Sequence, residues 1–260
     1  MSGDRPVSDD GRAVAGEVLA LAKLTLSLRV TGTSPNGLHL LDSEMVSLDL
    51  ADTLAFAYGD GLEVVDAGAG RGGHGNVPAD ASNLVCRALR LVGRSAMVRL
   101  VKRIPAGGGL GGGSADAAAV LRWAGAVGPQ GLAMAARLGS DVPFCLGGGG
   151  HARVGGTGEV LEPLDYGAVA GRAYTLLVPP FGVDTAAVYR AWDALGGPRS
   201  DNCNDLEPAA LAVEPRLADW HDKLADATGR RPVLAGSGST WFVPGEYPGE
   251  GRLVAHVSRH

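Results

Sequence analysis

The chain has 260 residues, of which 45% are hydrophobic and 20% charged, a balance that is ordinary for a globular protein. Its formal net charge of -5 lacks the basic excess of a duplex-binding surface, so nucleic acid is not expected as a partner. Three isolated cysteines argue against a disulfide framework and a cysteine metal cage, and no apolar run reaches the ~20 residues of a membrane span. The polar, acidic start has no signal-peptide pattern, so we expect a cytoplasmic protein without a membrane partner.

The first part of the chain predicts a flexible tail followed by strands. Residues 1–15 are the expected tail. Apolar and polar residues alternate over residues 18–30, which predicts a strand with one buried face. A turn at residues 34–37 leads into a second apolar stretch, residues 38–54. Residues 68–75 are predicted to form a glycine-rich surface loop.

The middle of the chain predicts helices on either side of a glycine cluster. Residues 83–92 have a helical pattern closed by a glycine, and residues 96–104 form a predicted strand that ends at Pro105. A strong helical pattern begins at Ser114. A further helix is predicted over residues 132–138.

Glycine clusters at residues 147–150 and 155–158 interrupt the sequence pattern, and a new strand is predicted beyond them. We therefore predict two domains, over residues 16–160 and 161–260. Beyond the boundary, a strand is predicted over residues 173–178 and two helices over residues 185–195 and 205–227. The chain is expected to close with strands over residues 232–243, broken by glycine and serine.

The most informative segment lies between Pro105 and Ser114, where six positions are glycine: 107, 108, 109, 111, 112 and 113. With a strand before it and a helix after it, this segment presents successive backbone N–H groups to one point, where the positive end of the helix dipole adds to them. An oligophosphate is the natural ligand. Ser114 is a favoured N-cap residue, and its hydroxyl is within reach of a phosphate or of a bound Mg²⁺.

Other interpretations of the glycine cluster fit less well. A Walker A loop needs a lysine after its glycines, and none is present. A dinucleotide fingerprint is met by Gly107, Gly109 and Gly112, but it also needs an acidic residue about 20 positions on, and none occurs between Ala117 and Ser140. A turn that merely caps a helix would not need six glycines.

The segment from Pro105 to Ala118 resembles the phosphate loop of the GHMP kinases. Further blocks, in order from about residue 20 to residue 243, resemble the branch of that family that acts on a cytidine diphosphate alcohol. They are Ala22-Lys23-Leu24-Thr25-Leu26, Val30-Thr31-Gly32, Gly37-Leu38-His39-Leu40-Leu41-Asp42, Asp80-Ala81-Ser82-Asn83-Leu84-Val85, Lys102-Arg103-Ile104-Pro105, Gly139-Ser140-Asp141-Val142-Pro143, Asn204-Asp205-Leu206-Glu207 and Gly236-Ser237-Gly238-Ser239-Thr240.

This resemblance implies an α+β, two-domain GHMP kinase fold. The N-terminal α/β domain would be like part of a ribosomal protein, the C-terminal domain would be ferredoxin-like, and the site would lie in the cleft between them. The resemblance also implies transfer of the ATP γ-phosphoryl group, with Mg²⁺, to the 2-hydroxyl of 4-diphosphocytidyl-2-C-methyl-D-erythritol in the non-mevalonate isoprenoid pathway. The expected partner is therefore a small molecule that carries cytidine diphosphate.

The catalytic pair of the family corresponds to Lys23 and Asp141. A hydroxyl loses its proton as it attacks, and a carboxylate within reach can accept that proton. A neighbouring cation keeps the carboxylate ionised and steadies negative charge on the attacking oxygen. From the residues alone, Lys23 could equally be a solvated strand lysine and Asp141 a cap of the turn before Pro143.

The resemblance also assigns binding residues. The expected ATP-binding loop comprises Pro105, Ala106, Gly107, Gly108, Gly109, Leu110, Gly111, Gly112, Gly113, Ser114 and Ala115. In the substrate site, His39 would hydrogen-bond the cytosine, Lys102 would lie beside the acceptor, and Thr185 with Tyr189 would complete the cytidine pocket. From helical spacing alone, Tyr189 is as readily a core aromatic residue.

Two positions depart from the family pattern. Thr25 stands where the family has asparagine, and a hydroxyl cannot replace both ends of an amide. Leu38 replaces a tyrosine that would stack on the base. Both changes affect expected substrate contacts, so the alternatives are a GHMP kinase for another small alcohol and a non-catalytic nucleotide-binding relative.

Overall fold

The computed structural model describes residues 14–68 and 77–259. The expected tail over residues 1–15 lies outside the described residues except for the backbone of its last two positions, and the predicted loop over residues 68–75 lies outside them except for Gly68. None of the helices in the described part combines the length and apolar character needed to cross a lipid bilayer.

The first half of the chain forms a six-stranded sheet dominated by two long antiparallel strands. The order is β3-β4-β2-β5-β6, with β1 paired to β2, and only β3 and β4 run parallel. The alternating segment over residues 18–30 lies within β1, as predicted, but both faces are buried over residues 20–25, so the expectation of a single buried face is wrong there. The strands are β1 Val14–Thr33, β2 His39–Ala57, β3 Gly61–Asp66, β4 Met97–Lys102, β5 His151–Gly156 and β6 Val160–Pro163.

Four helices accompany this sheet: α1 Leu84–Leu91, α2 Gly112–Trp123, α3 Gly128–Leu138 and α4 Val142–Gly147. Helix α2 is central, because its seven consecutive residues 115–121 are all buried. Most of them are alanine, which lets the helix lie close to the sheet. The α3 helix begins four residues earlier than predicted, since Pro129 in its first turn is compatible with a helix start.

The second half of the chain forms a four-stranded antiparallel sheet in the order β10-β7-β9-β8. Trp241 is fully buried beneath its helices. The elements are β7 Ala173–Leu177, α5 Thr185–Ala194, α6 Glu207–Val213, α7 Leu217–Thr228, β8 Val233–Leu234, β9 Trp241–Pro244 and β10 Arg252–His256.

The single helix predicted over residues 205–227 is wrong, because the chain breaks between α6 and α7. Pro215 has no N–H to donate and disfavours the helical conformation of the residue before it. Glu214 accordingly has φ -134° and ψ 84°, and a new helix starts at Leu217.

The two sheets share a hydrophobic core. Leu24 and Val46 of the first sheet pack in one cluster with Leu176 and Phe242 of the second. A backbone bridge between Leu48 and Val257 adds to this junction. The first sheet ends at Pro163 and the second begins at Ala173; the domain boundary near residue 160 stays a prediction.

Candidate active site

The glycine cluster forms a loop between β4 and α2. Gly107, Gly109 and Gly111 have positive φ angles of 74°, 79° and 69°, which side chains with a Cβ rarely adopt. Gly111 is the N-cap of α2, so the prediction that Ser114 caps this helix is wrong. Gly112 and Gly113 already have helical backbone conformations, so the helix begins two residues before Ser114.

This early start matters for anion binding. The first i→i-4 hydrogen bond of the helix runs from Ala115 N to Gly111 O, at 2.8 Å. The N–H groups at residues 112–114 belong to the first turn, where no intrahelical partner exists. They can therefore donate to a phosphate at the positive end of the helix dipole.

The glycine loop also packs against the segment 236–240 of the second half. A Cβ on Gly109 would lie 2.5 Å from Gly238 O, so only glycine fits there. Thr240 donates to Gly108 O from its hydroxyl at 2.5 Å and from its backbone N–H at 3.2 Å. The loop thus forms the junction between the two halves.

Lys23 and Asp141 lie next to this loop and contact each other. The Nζ atom of Lys23 is 3.2 Å from Asp141 Oδ2, and it donates to Thr25 Oγ1 at 3.1 Å. Lys23 is only 5% exposed, so it is not a solvated surface lysine. Asp141 precedes α4 but makes no side-chain capping bond, which removes the turn-cap interpretation. The structure therefore forms a carboxylate–ammonium pair beside the glycine loop.

A cavity of about 380 Å³, here called the pair cavity, contains this ion pair. The chain brings most of the predicted catalytic and substrate residues into its wall. Its lining includes Lys23, Thr25, Asp141, Thr185, Tyr189 and Ser114.

A neighbouring cavity of about 350 Å³, here called the outer cavity, lies against the same loop. Its wall includes Pro78, Asn83, Lys102 and Asp116. Five glycines, at positions 107, 109, 111, 112 and 113, line both cavities. A ligand bound in one cavity can therefore extend across the loop toward the other.

Tyr189 forms one wall of the pair cavity. Burial, together with the nearby Asp141 carboxylate, raises the pKa of its phenol well above the usual range, so the ring stays neutral. His39 stacks on this ring with a centroid distance of 4.7 Å. His39 does not itself line the pair cavity, and neither does Leu38, whose side chain is 52% exposed.

Two residues of this region were missed by sequence reasoning. His39 Nε2 lies 2.8 Å from Asp193 Oδ1, and the Trp192 ring meets His39 edge-on at 5.5 Å. Both follow Tyr189 at i+3 and i+4 on α5, the spacing that places side chains on one helix face. This spacing from Tyr189 was the sequence signal that could have identified Trp192 and Asp193.

Lys102 lines the outer cavity and not the pair cavity. Its Nζ atom contacts Asp116 Oδ2 at 2.7 Å and Asp52 Oδ2 at 2.5 Å, and all three residues are buried. Burial alone would lower the pKa of Lys102, but the two carboxylates outweigh it and raise that pKa. Burial raises the pKa of Asp116 to about 7, against the opposing effect of Lys102. Asp52 also accepts the backbone N–H groups of Arg103 and Ile104, which fixes the start of the loop.

Comparisons with known proteins agree on one family. Residues 68–149 match the family described as the GHMP kinases N terminal domain. A protein of Paracoccus denitrificans named 4-diphosphocytidyl-2-C-methyl-D-erythritol kinase is 39% identical over 86% of this chain and 84% of its own. The chain belongs to the GHMP kinase family. A protein of the same name from Ruegeria pomeroyi is 35% identical over 95% of this chain and 94% of its own.

A solved structure agrees as well. The crystal structure of a 4-(cytidine 5'-diphospho)-2C-methyl-D-erythritol kinase matches with a TM-score of 0.68 at 32% identity, over 90% of this chain and 91% of that one. The predicted family and the predicted α+β fold class are therefore confirmed.

The Lys102 cluster predicts a large loss of stability when its cation is removed. Lys102→Met leaves two buried carboxylates without a counter-charge, and we expect the free energy of unfolding to fall by about 3–5 kcal/mol. Arg99→Met on the same strand is the control, because Arg99 is 57% exposed and makes only a 3.6 Å contact with Glu63. That variant should change stability by less than about 1 kcal/mol. Urea unfolding of both variants decides, and equal losses would contradict the role given to Lys102.

The backbone of the loop predicts opposite effects at two glycines. Alanine at Gly111 must adopt φ +69° and would place its Cβ 2.7 Å from Lys23 Cγ, so we expect Gly111→Ala to lose roughly 1–2 kcal/mol of stability and to weaken ATP binding. Gly113 is helical, and a Cβ there meets only Leu84 at 3.5 Å. Gly113→Ala should gain up to about 1 kcal/mol. Chemical denaturation measures the stability of both variants. Equal denaturation midpoints for Gly111→Ala and Gly113→Ala would contradict the different backbone conformations given to the two glycines.

Proposed function

We propose that this chain transfers the γ-phosphoryl group of ATP to the 2-hydroxyl of 4-diphosphocytidyl-2-C-methyl-D-erythritol. The observation that carries the proposal is the Lys23–Asp141 pair, 3.2 Å apart in a cavity walled by the glycine loop. The relatives that bear the corresponding name are aligned over most of this chain, which supports the choice of substrate.

The two cavities suggest where the substrates bind. The outer cavity would hold the nucleoside end of ATP, because its wall contains neither Lys23 nor Asp141. The phosphates would cross the loop, where the first-turn N–H groups of α2 donate to them. The pair cavity would hold the alcohol, and its hydroxyl would face the γ-phosphate. Catalysis then consists largely of positioning and charge stabilisation.

The ion pair would activate the hydroxyl. Asp141 accepts the proton as the oxygen attacks. Lys23 lies against the same carboxylate and stabilises negative charge on the attacking oxygen. Thr25, which accepts a hydrogen bond from Lys23 Nζ, keeps the ammonium aimed at this point.

The donor set fits a Mg²⁺ ion that arrives with the nucleotide. The described residues contain no group of three acidic, histidine or cysteine side chains arranged to hold a metal. Mg²⁺ is commonly bound by one or two protein oxygens together with substrate phosphates and water. Ser114 lines the pair cavity and would supply such an oxygen, which leaves Asp141 free to accept the proton. When bound, the ion would neutralise charge on the transferred phosphoryl group.

The cytidine end would bind against Tyr189 and Thr185. Both residues line the pair cavity, and the Thr185 hydroxyl also lies 2.8 Å from the Ser237 hydroxyl. A base that stacks on an aromatic ring gains roughly 1–3 kcal/mol. Leu38, which stands where the family has a second aromatic ring, is exposed and lies outside the cavity. Tyr189 is therefore the ring on which the base would stack.

A coupled assay for ADP release tests the function. We expect ATP turnover with 4-diphosphocytidyl-2-C-methyl-D-erythritol and not with mevalonate, homoserine or galactose. Turnover with one of those alcohols instead would retain the kinase and replace its substrate, as the departures at Thr25 and Leu38 allow. ATP binding without turnover on any alcohol would favour a non-catalytic relative.

The role of Asp141 has its own test. Asp141→Asn keeps the shape of the side chain but removes the base, and we expect kcat to fall by ~10²–10⁴-fold with the KM for ATP nearly unchanged. Asp219→Asn on α7 is the control, because Asp219 is exposed and lines neither cavity. Steady-state kinetics measure both. A near-normal kcat in Asp141→Asn would remove Asp141 from the chemical step.

A further inference from the structure

His39 is held by three residues of a single helix. It lies at the start of β2, and its ring is stacked on Tyr189 at an interplanar angle of 20°. Trp192 meets the edge of the same ring, and Asp193 Oδ1 lies 2.8 Å from Nε2. All three partners project from α5, so this contact joins the first sheet to the second half of the chain.

The Asp193 contact determines which ring nitrogen carries the proton. An ionised carboxylate only accepts hydrogen bonds, so Nε2 must donate to it. In the neutral imidazole the other nitrogen, Nδ1, is then an acceptor. Nδ1 has no hydrogen-bond partner among the described residues. His39 is therefore fixed in orientation, and its neutral form offers one acceptor, Nδ1, that is unpaired among the described residues.

We propose that Asp193 is a positioning residue that sets the preference of this site for cytosine over uracil by holding His39 as the Nε2–H tautomer. The inference rests on the proposed function. Cytosine presents an amino group at its 4-position, a donor that Nδ1 can accept. A 4-oxo pyrimidine presents an acceptor at that position, which faces the Nδ1 lone pair unfavourably.

The ring geometry supports an edge-to-edge contact between His39 and the base. His39 covers part of the Tyr189 ring in a nearly parallel arrangement, and Tyr189 also lines the pair cavity. A base that stacks on the remaining part of that ring lies roughly in the plane of His39. Its edge then meets an edge of the imidazole, where in-plane hydrogen bonds form.

Substitution of Asp193 by a donor tests the proposal. The Nζ group of lysine only donates, so Asp193→Lys would move the imidazole proton to Nδ1. We expect the ratio of kcat/KM for the cytidine substrate to that for its uridine analogue to fall by about tenfold or more, as one hydrogen bond is lost and another gained. Asp193→Asn keeps an acceptor oxygen, so its ratio should stay within about twofold of wild type. The KM for ATP should not change.

A matched control separates the effect of the His39 tautomer from the effect of the change in net charge. Asp222 makes a similar exposed contact, 2.9 Å from His221 Nδ1, on α7. Asp222→Lys alters net charge equally and should leave the ratio unchanged. An unchanged ratio in Asp193→Lys, or an equal loss for both substrates, would overturn the proposal, because a merely structural role affects both bases alike.

A spectroscopic arm does not depend on turnover. The ¹⁵N chemical shifts of His39 should show Nε2–H in the wild type and Nδ1–H in Asp193→Lys. An Nδ1–H wild-type ring would overturn the inference even with an active enzyme. If the wild type fails on both pyrimidine substrates but shows the expected tautomers, the proposed substrate is wrong while the positioning by Asp193 stands.

Discussion

The contact between the glycine loop and β1 is the constraint on which the site depends. Lys23 donates its backbone N–H to Leu110 O at 3.0 Å, and the stem of the same side chain occupies the space that a Cβ on Gly111 would need. One residue therefore fixes the height of the loop above the sheet and carries the ammonium group. Because the same residue anchors the loop and carries the cation, the first-turn N–H groups of α2 lie close to the Lys23–Asp141 pair.

Buried charge is arranged on both sides of that loop. On one side, Lys23 faces a partly exposed carboxylate that remains accessible to a ligand. On the other side, Lys102 is enclosed by two buried carboxylates. Desolvated charges are costly unless they are paired and hydrogen-bonded. The enclosed cluster therefore supports the loop structurally, while the open pair has a free face for chemistry.

Local sequence patterns predicted the features that depend on neighbouring residues. The period of two over residues 18–30 predicts β1, and the glycines between a strand and a helix predict a phosphate loop. The same local reasoning placed the start of α2 at Ser114, because serine usually caps helices, whereas a glycine in the left-handed region ends the loop here. It also extended one helix through Pro215, where the chain turns.

Features that depend on distant residues could not be predicted in this way. Asp193 pairs with His39 across 154 positions, and Asp52 reaches Lys102 across 50. Nothing near Asp52 in the sequence distinguishes it from a solvated surface residue, and helical spacing places Asp193 on the face of Tyr189 without identifying its partner. Only the packing of α5 against the first sheet, or of β2 beside β4, gives each its partner. The family resemblance assigned Lys102 to the acceptor, and the fold places it in the outer cavity.

The glycine wall that both cavities share has a consequence for inhibition. Five of the six residues that line both cavities are glycines and the sixth is Leu84, so the shared wall is mostly backbone. A bisubstrate compound, with a nucleoside joined through phosphates to a cytidine-like alcohol mimic, would cross this glycine wall at its midpoint, with Leu84 as the side chain that both cavities share. Once one half is bound, the other is confined near its own cavity at a high effective concentration. If the substrates bind as proposed, such a compound would bind more tightly than either half and would compete with both of them at once.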